Sequence, residues 1–405
     1  MQLKTGVQKT VYPILFTISF SHLLNDLMQS VIPAVYPLIK DKYHFSFTQI
    51  GIITFVFQLT ASILQPFVGA YTDRNPRPFS LALAMMFTSL GIIALSLASD
   101  FYFFLVAVAL FGLGSSVFHP EASRVAYLAS GGKKGLAQSI FQVGGNTGTA
   151  IGPLLAAVVV LTYGQHSMIW FCIISLIGVA ILIRVGRWYR NHLYLRRTNP
   201  SSVTTEVAPS LSKRKVYFSI GILLTLIFSK YFYMAGMINY YTFFLIDKFG
   251  ITVRESQYCL FSFLAAVAVG TIIGGPLGDR FGRKYIIWFS ILGASPFTLL
   301  LPHANLFWTI VLAIIIGVVI ASAFSAILVY ATDLVPGKIG MMAGLFFGFM
   351  FGMAGIGSAV LGWMADEISI EYVFRVCAYL PLLGIVATFL PNIRYHAVAP
   401  VEQTE

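Results

Sequence analysis

Apolar stretches of about twenty residues recur along almost the whole chain, separated by short connections that hold most of its charge. A helix needs about 20 mostly apolar residues to cross the hydrocarbon core of a bilayer. Spanning elements must bond their own backbone groups, which leaves helices and closed barrels. Barrel strands would alternate apolar and polar residues over about ten positions, a pattern absent here. With 58% of its 405 residues hydrophobic and 10% charged, the chain reads as an all-α integral membrane protein.

Twelve spans are expected, at 12–39, 47–71, 79–99, 101–128, 135–162, 166–188, 215–246, 254–278, 285–303, 305–332, 338–364 and 370–391. The first is too long for a signal peptide and carries Asp26 at its centre. The formal charge of +11 has a topological cause rather than a nucleic-acid partner. Of 26 Lys and Arg residues, 20 fall in the tails and the even-numbered connections with their flanking turns. The odd-numbered connections hold Lys40, Lys42, Lys248 and Arg254, so the positive-inside rule places both termini in the cytoplasm. Cys172, Cys259 and Cys377 lie within spans, too scattered for metal ligation, and read as packing residues. No cofactor and no metal are expected.

Residues 189–214 form the only long polar stretch. They read as a cytoplasmic linker between an N-terminal bundle, 1–188, and a C-terminal bundle, 215–405. Arg184, Arg187, Trp188, Tyr189 and Arg190 suit an interfacial anchor against membrane lipid.

The halves are related. Gly69-Ala70-Tyr71-Thr72-Asp73-Arg74 returns as Gly275-Pro276-Leu277-Gly278-Asp279-Arg280, an offset of 206 positions. Glycine allows close helix approach, and Asp73 and Asp279 can accept from helix N-terminal amides. Two six-helix halves of like orientation match transporters whose halves rock around a midplane site. Twelve helices, a long central loop and this hairpin in the second and eighth connections resemble the major facilitator superfamily, in which the hairpin latches the cytoplasmic side. The resemblance assigns that gate to Gly69, Asp73, Arg74 and Arg77, and to Gly275, Asp279, Arg280 and Arg283. The first copy is the weaker match, because Asn75-Pro76-Arg77-Pro78 replaces Phe281-Gly282-Arg283-Lys284.

Charge inside a span costs about 2.5–3.5 kcal/mol on insertion scales, so each instance calls for a partner, a cavity or a function. Asp26 lies at the middle of the first span and Lys230 at the middle of the seventh. Under the repeat offset their depths differ by about 3 Å at helical rise. They can form a buried ion pair or face a shared ligand. The fourth span carries His119, Pro120, Glu121 and Arg124, and the proline is expected to kink or loosen the helix. Glu121 and Arg124 share a face, whereas His119 points elsewhere. His119 fits a hydrogen-bonded structural role as well as a titrating one. In the fifth span Gln138, Gln142 and Asn146 share one face, while Gly144, Gly148 and Gly152 suit close packing on another. Ser115 and Ser116 near His119 lack the supporting carboxylate and oxyanion loop of a hydrolase, and no enzyme site is expected.

Ser21-His22-Leu23-Leu24-Asn25-Asp26, Ser116-Val117-Phe118-His119-Pro120-Glu121, Gln138-Ser139-Ile140-Phe141-Gln142-Val143-Gly144-Gly145-Asn146, Phe228-Ser229-Lys230-Tyr231-Phe232-Tyr233 and Ala323-Phe324-Ser325-Ala326-Ile327-Leu328-Val329-Tyr330 resemble the fosmidomycin-resistance family of bacterial carriers. The resemblance covers nearly the whole chain. It implies inner-membrane efflux of a small anionic phosphonate drug in exchange for protons, by a carrier read here as monomeric. Asp26, Glu121 and His119 are the candidate proton carriers. Lys230, Arg124, His119, Gln142, Asn146, Tyr231 and Tyr233 are the candidate substrate ligands. The alternative is a proton-coupled uptake symporter of a small organic anion, which needs the same fold and the same midplane cation.

Overall fold

The structure, a computed structural model, describes residues 10–198, 211–335 and 338–392. Among these the elements are helical throughout. The first crossing is α1 (Tyr12–Ala34) with α2 (Tyr36–Tyr43), and the second is α3 (Phe47–Ile63) with α4 (Gln65–Arg74). Helices α5 (Ser80–Leu97) and α6 (Phe101–Leu128) follow. The fifth crossing joins α7 (Lys134–Leu155), a π-helical turn (Ala156–Val160) and α8 (Leu161–Tyr163); the sixth is α9 (Phe171–Thr198). The second half begins with α10 (Lys213–Phe249) and α11 (Val253–Phe281). Its ninth crossing is α12 (Arg283–Leu292) with α13 (Ser295–Leu300), and its tenth α14 (Leu306–Ala321) with α15 (Ala323–Leu334). The last two are α16 (Ile339–Glu367) and α17 (Ile370–Cys377), the latter continuing as a 3-10 helix over Leu380–Phe389.

The interruptions have local causes. Pro37, Pro66 and Pro296 open α2, α4 and α13, where a missing amide and a fixed φ suit the first helical turn. Pro120 does not act this way: α6 stays helical through it, so the expected loosening does not become a break. Helix α9 also runs on to Thr198, beyond the expected end of its span at 188.

The repeat reaches further than the hairpins. Ser46 with Gln49 builds a reciprocal capping box at the start of α3, and Thr252 with Glu255 builds the same box at the start of α11. Each box satisfies two otherwise orphaned amides. Ser46 and Thr252 stand 206 positions apart, as do Gln49 and Glu255, the offset of the hairpins.

By length and composition, eleven helical segments among the described residues can cross a membrane. Helix α1 is not one of them, since it carries His22, Asn25, Asp26, Gln29 and Ser30. These face inward, with His22, Asn25, Gln29 and Ser30 buried against neighbouring helices. Large apolar side chains such as Phe16, Phe67, Leu176 and Phe307 are exposed instead, as a surface facing lipid requires.

Within the halves α1 packs on α7, α5 on α6 and α9, and α11 on α14. Between them α3 and α4 pack on α16, and α7 packs on α11. The α1 and α7 backbones approach so closely at Gly148 that a Cβ there would overlap the Leu23 carbonyl oxygen. The glycine face expected on the fifth span is thus the contact surface for the first.

Candidate functional site

A cavity of about 160 Å³ lies between the halves, lined by residues of α1, α2, α3, α6, α7, α10, α11 and α16. His22, Asp26, His119, Gln142, Asn146 and Tyr231 provide its chemistry. A smaller space of about 40 Å³ adjoins it, sharing Gln142, Asn146 and Tyr231 and adding Lys230, Thr271 and Phe324.

Asp26 stands at the centre of a polar cluster. Its Oδ2 is 3.1 Å from His22 Nε2, one helical turn away, and its Oδ1 is 3.5 Å from His119 Nε2 on α6. Asn25 Nδ2 donates to Asp26 Oδ1 at 3.0 Å. Both imidazoles are oriented by backbone carbonyls. His22 Nδ1 is 2.8 Å from the Phe141 carbonyl oxygen on α7, and His119 Nδ1 is 3.1 Å from that of Ser115. His22 stacks on Phe141 at 4.1 Å, while the edge of the His119 ring meets Phe351 at 4.9 Å. Gly145 makes room for the pair: a Cβ there would stand 2.5 Å from His22 Nε2 and 2.7 Å from Asp26 Oδ2.

Metal ligation was expected nowhere, yet these three side chains bring ligand atoms within 4.8 Å of one another. At zinc bonding distances tetrahedral ligands lie about 3.3 Å apart. Here each Asp26 oxygen addresses a different histidine, which is a hydrogen-bonding arrangement.

Lys230 is 4% exposed and does not pair with Asp26. Among the described residues no carboxylate lies within ion-pair distance of it. Its Nζ stands 5.2 Å from the Tyr231 ring centre and 5.7 Å from that of Phe324. Equal depth therefore placed Asp26 and Lys230 on one level but not face to face; α7 side chains Gln142 and Asn146 line the space beside each. Asn146 Nδ2 donates to Thr271 Oγ1 across the halves at 2.5 Å, and Gln142 Oε1 is buried without a partner.

Glu121 and Arg124 lie elsewhere. On α6 they turn away from His119, and neither lines the cavity. Arg124 Nη1 is 3.5 Å from Glu121 Oε1, its Nε is 3.8 Å from Asp73 Oδ1, and it also donates to the Thr72 carbonyl. Ser80 Oγ donates to Glu121 Oε2 at 3.3 Å. The pair thus lies beside the Asp73 hairpin, away from the cavity where the proton and substrate positions were expected. Tyr233 is likewise buried outside the cavity, since it points away from Tyr231 on α10.

At the gate Asp73 accepts from the first amides of α16, Gly340 at 3.2 Å and Met341 at 3.0 Å. A Cβ on Gly69 would collide with the Gly340 carbonyl, which explains the glycine. Arg77 donates to Tyr71 at 2.8 Å, and Arg74 is exposed. The weaker copy of the hairpin thus still sets a carboxylate on a free helix start, despite its departures from the second copy. In the second copy Arg283 pairs with Asp333 and Arg280 stands over Phe281 at 5.3 Å, while the surroundings of Gly275 and the side chain of Asp279 lie outside what is described. At the opposite end, unforeseen from sequence, Asp366 accepts from the first amides of α3, Phe47 at 3.0 Å and Thr48 at 2.6 Å.

Twelve crossings in two related halves around a central polar cavity agree with the family comparison: the model of the Major Facilitator Superfamily matches residues 18–253 and 224–405. The chain belongs to this superfamily of membrane transporters. It is 55% identical over 391 residues to the Fosmidomycin resistance protein of Escherichia coli K12, covering 96% of each chain. It is 41% identical over 384 residues to an uncharacterised transporter of the superfamily, YfnC, of Bacillus subtilis, covering 95% of this chain and 94% of that one. Solved structures share the fold. The human organic anion transporter MFSD10 aligns with a TM-score of 0.72 at 16% identity, over 94% of this chain and all of its own. The fucose:proton symporter of Escherichia coli aligns with a TM-score of 0.67 at 14% identity, over 95% of this chain and all of its own. The chain is a multi-pass transporter homologous to the fosmidomycin resistance protein, in a family of carriers rather than enzymes.

The sequence reading missed His22, although its i, i+4 spacing from Asp26 on one helix face was legible. It also missed Asp366, whose partners are more than 300 positions away.

Proposed function

We propose that the chain exports fosmidomycin, or a similar small anionic phosphonate, in exchange for protons across the bacterial inner membrane. The observation that carries this reading is Lys230, a cation buried beside the central cavity with no carboxylate partner among the described residues. Burying such a charge is costly unless something of opposite sign meets it. An anionic group entering from the cavity would do so, with Gln142, Asn146 and Tyr231 as neutral hydrogen-bonding neighbours. The homology to a fosmidomycin resistance protein supplies the substrate class.

In this reading the halves, 1–188 and 215–405, rock about the cavity, tied by the segment 189–214. The Asp73 end is cytoplasmic, as are both termini, in keeping with the positive-inside distribution. The carrier acts as a monomer embedded in lipid. Asp26 with His119 carries the proton. Substrate arriving from the cytoplasm meets Lys230, and protonation at Asp26 from the other side resets the carrier.

Inverted membrane vesicles test the reading. Acidification of the interior should drive fosmidomycin accumulation, and cells expressing the chain should resist the drug. Uptake by right-side-out vesicles, with none by inverted ones, would instead make the chain an organic-anion symporter.

A further inference from the structure

The carbonyl of Phe141 fixes the chemistry of His22. A carbonyl oxygen only accepts, so His22 Nδ1, 2.8 Å away, carries a hydrogen. The other nitrogen of a neutral ring is then a bare lone pair. It stands 3.1 Å from a carboxylate oxygen and has no other hydrogen-bond partner. Two lone pairs cannot face each other at this distance in a buried site without a proton between them.

His119 is under no such constraint. Its Nδ1 lies 3.1 Å from both the carbonyl oxygen and the hydroxyl of Ser115. It can donate to the carbonyl, leaving Nε2 to accept from a protonated Asp26. It can equally accept from the hydroxyl, leaving Nε2 to donate to Asp26 Oδ1. Gln29 Nε2, 3.4 Å from the hydroxyl oxygen, supports the second arrangement by donating to it.

We propose that Asp26 is served by two histidines of unequal duty: His22 holds one proton in common with Asp26 throughout, and His119 gives and takes the transported one. His22 is thus a positioning residue whose retained positive charge opposes a further proton. The exchanged proton passes from Asp26 Oδ1 to His119 Nε2, breaking the O–H bond and forming an N–H bond; the imidazolium so formed then gives its Nδ1 hydrogen to water, which leaves Nδ1 to accept from the Ser115 hydroxyl and Asp26 as the carboxylate. The other titratable groups facing the cluster are Tyr231 of α10, Tyr36, which bonds Thr54, and Lys230 in the adjoining space. Helices α7 and α16 present neutral groups, Gln142, Asn146, Phe347 and Phe351.

The inference rests on the proton-coupled reading above, and its test separates the two. Fosmidomycin binding and proton-driven exchange are measured against pH in purified protein and proteoliposomes, each with and without a chelator. For His22→Gln, whose amide can still donate to Asp26 but holds no charge, the acid limb of exchange should move up by about one pH unit. A purely structural role would lower the rate without moving the limb, and that result overturns the assignment of His22. Ser115→Ala removes the hydroxyl donor and leaves His119 one tautomer. Exchange should then fall on the order of tenfold with binding retained, and an unchanged rate overturns the role of His119. Wild-type exchange independent of pH would remove the parent reading instead, and with it the proposal. Exchange abolished by the chelator alone would assign the cluster to a cation and likewise overturn the proposal.

Discussion

Asp73 and Asp366 hold opposite ends of one antiparallel pair of crossings, each accepting hydrogen bonds from the first amides of the crossing opposite its own. Asp73, at the end of α4, bonds Gly340 and Met341 of α16. Asp366, in the last turn of α16, bonds Phe47 and Thr48 of α3. A carboxylate at a helix N-terminus satisfies orphaned amides and meets the positive end of the helix dipole. Both caps are made at once, one at each end of the seam between α3–α4 and α16. Under the rocking motion proposed above, one cap would part while the other holds.

Removing one cap should therefore bias the carrier. Each such bond set is worth about 1 kcal/mol, roughly a fivefold change in population. Asp366→Ala should favour opening at the α3 start, and Asp73→Ala should favour opening at the α16 start. Spin-label distances across each end check this, and equal distances in both variants would contradict it.

Lys230 should trade stability for binding. Lys230→Met keeps the side-chain volume and removes a buried charge, so thermal unfolding in detergent should shift upward by an amount equivalent to about 2 kcal/mol. Fosmidomycin affinity should fall roughly 30-fold or more. A lower Tm with intact affinity would show that the cation serves the fold.

Gly145→Ala should act on exchange through His22 and Asp26. The added methyl has no space beside Nε2 and Oδ2. Overpacking of this kind costs about 1–3 kcal/mol, which a well-packed bundle survives. Proton-driven exchange should drop by more than tenfold, while monodispersity and helical content persist.

The placement of Glu121 and Arg124 beside the Asp73 hairpin predicts a contrast. Arg124→Ala strands a buried carboxylate and should destabilise by about 3–5 kcal/mol. Glu121→Gln keeps the shape and should be far milder. Neither should change fosmidomycin affinity more than about twofold in the folded protein, measured by equilibrium binding, because neither side chain reaches the cavity.

The number and order of crossings were legible because each needs a long apolar run, and the family because its motifs are local strings. The repeat was legible too, and its capping boxes at Ser46 and Thr252 stood in the sequence at the same offset. Azimuth was not legible. Depth along two helices placed Asp26 and Lys230 on one level, but the rotation of each helix decides which way its side chain points. That rotation follows from packing contacts such as Gly148 on Leu23, which join residues far apart in sequence. For the same reason His119 and Glu121, two positions apart, serve different places.

Helix α1 has a consequence for how the protein is made. Its inward polar row makes it less apolar than the other crossings, and its close partner α7 lies much further along the chain. The polar face of α1 is costly to leave against lipid, and in synthesis it stays uncovered until residues 134–155 arrive.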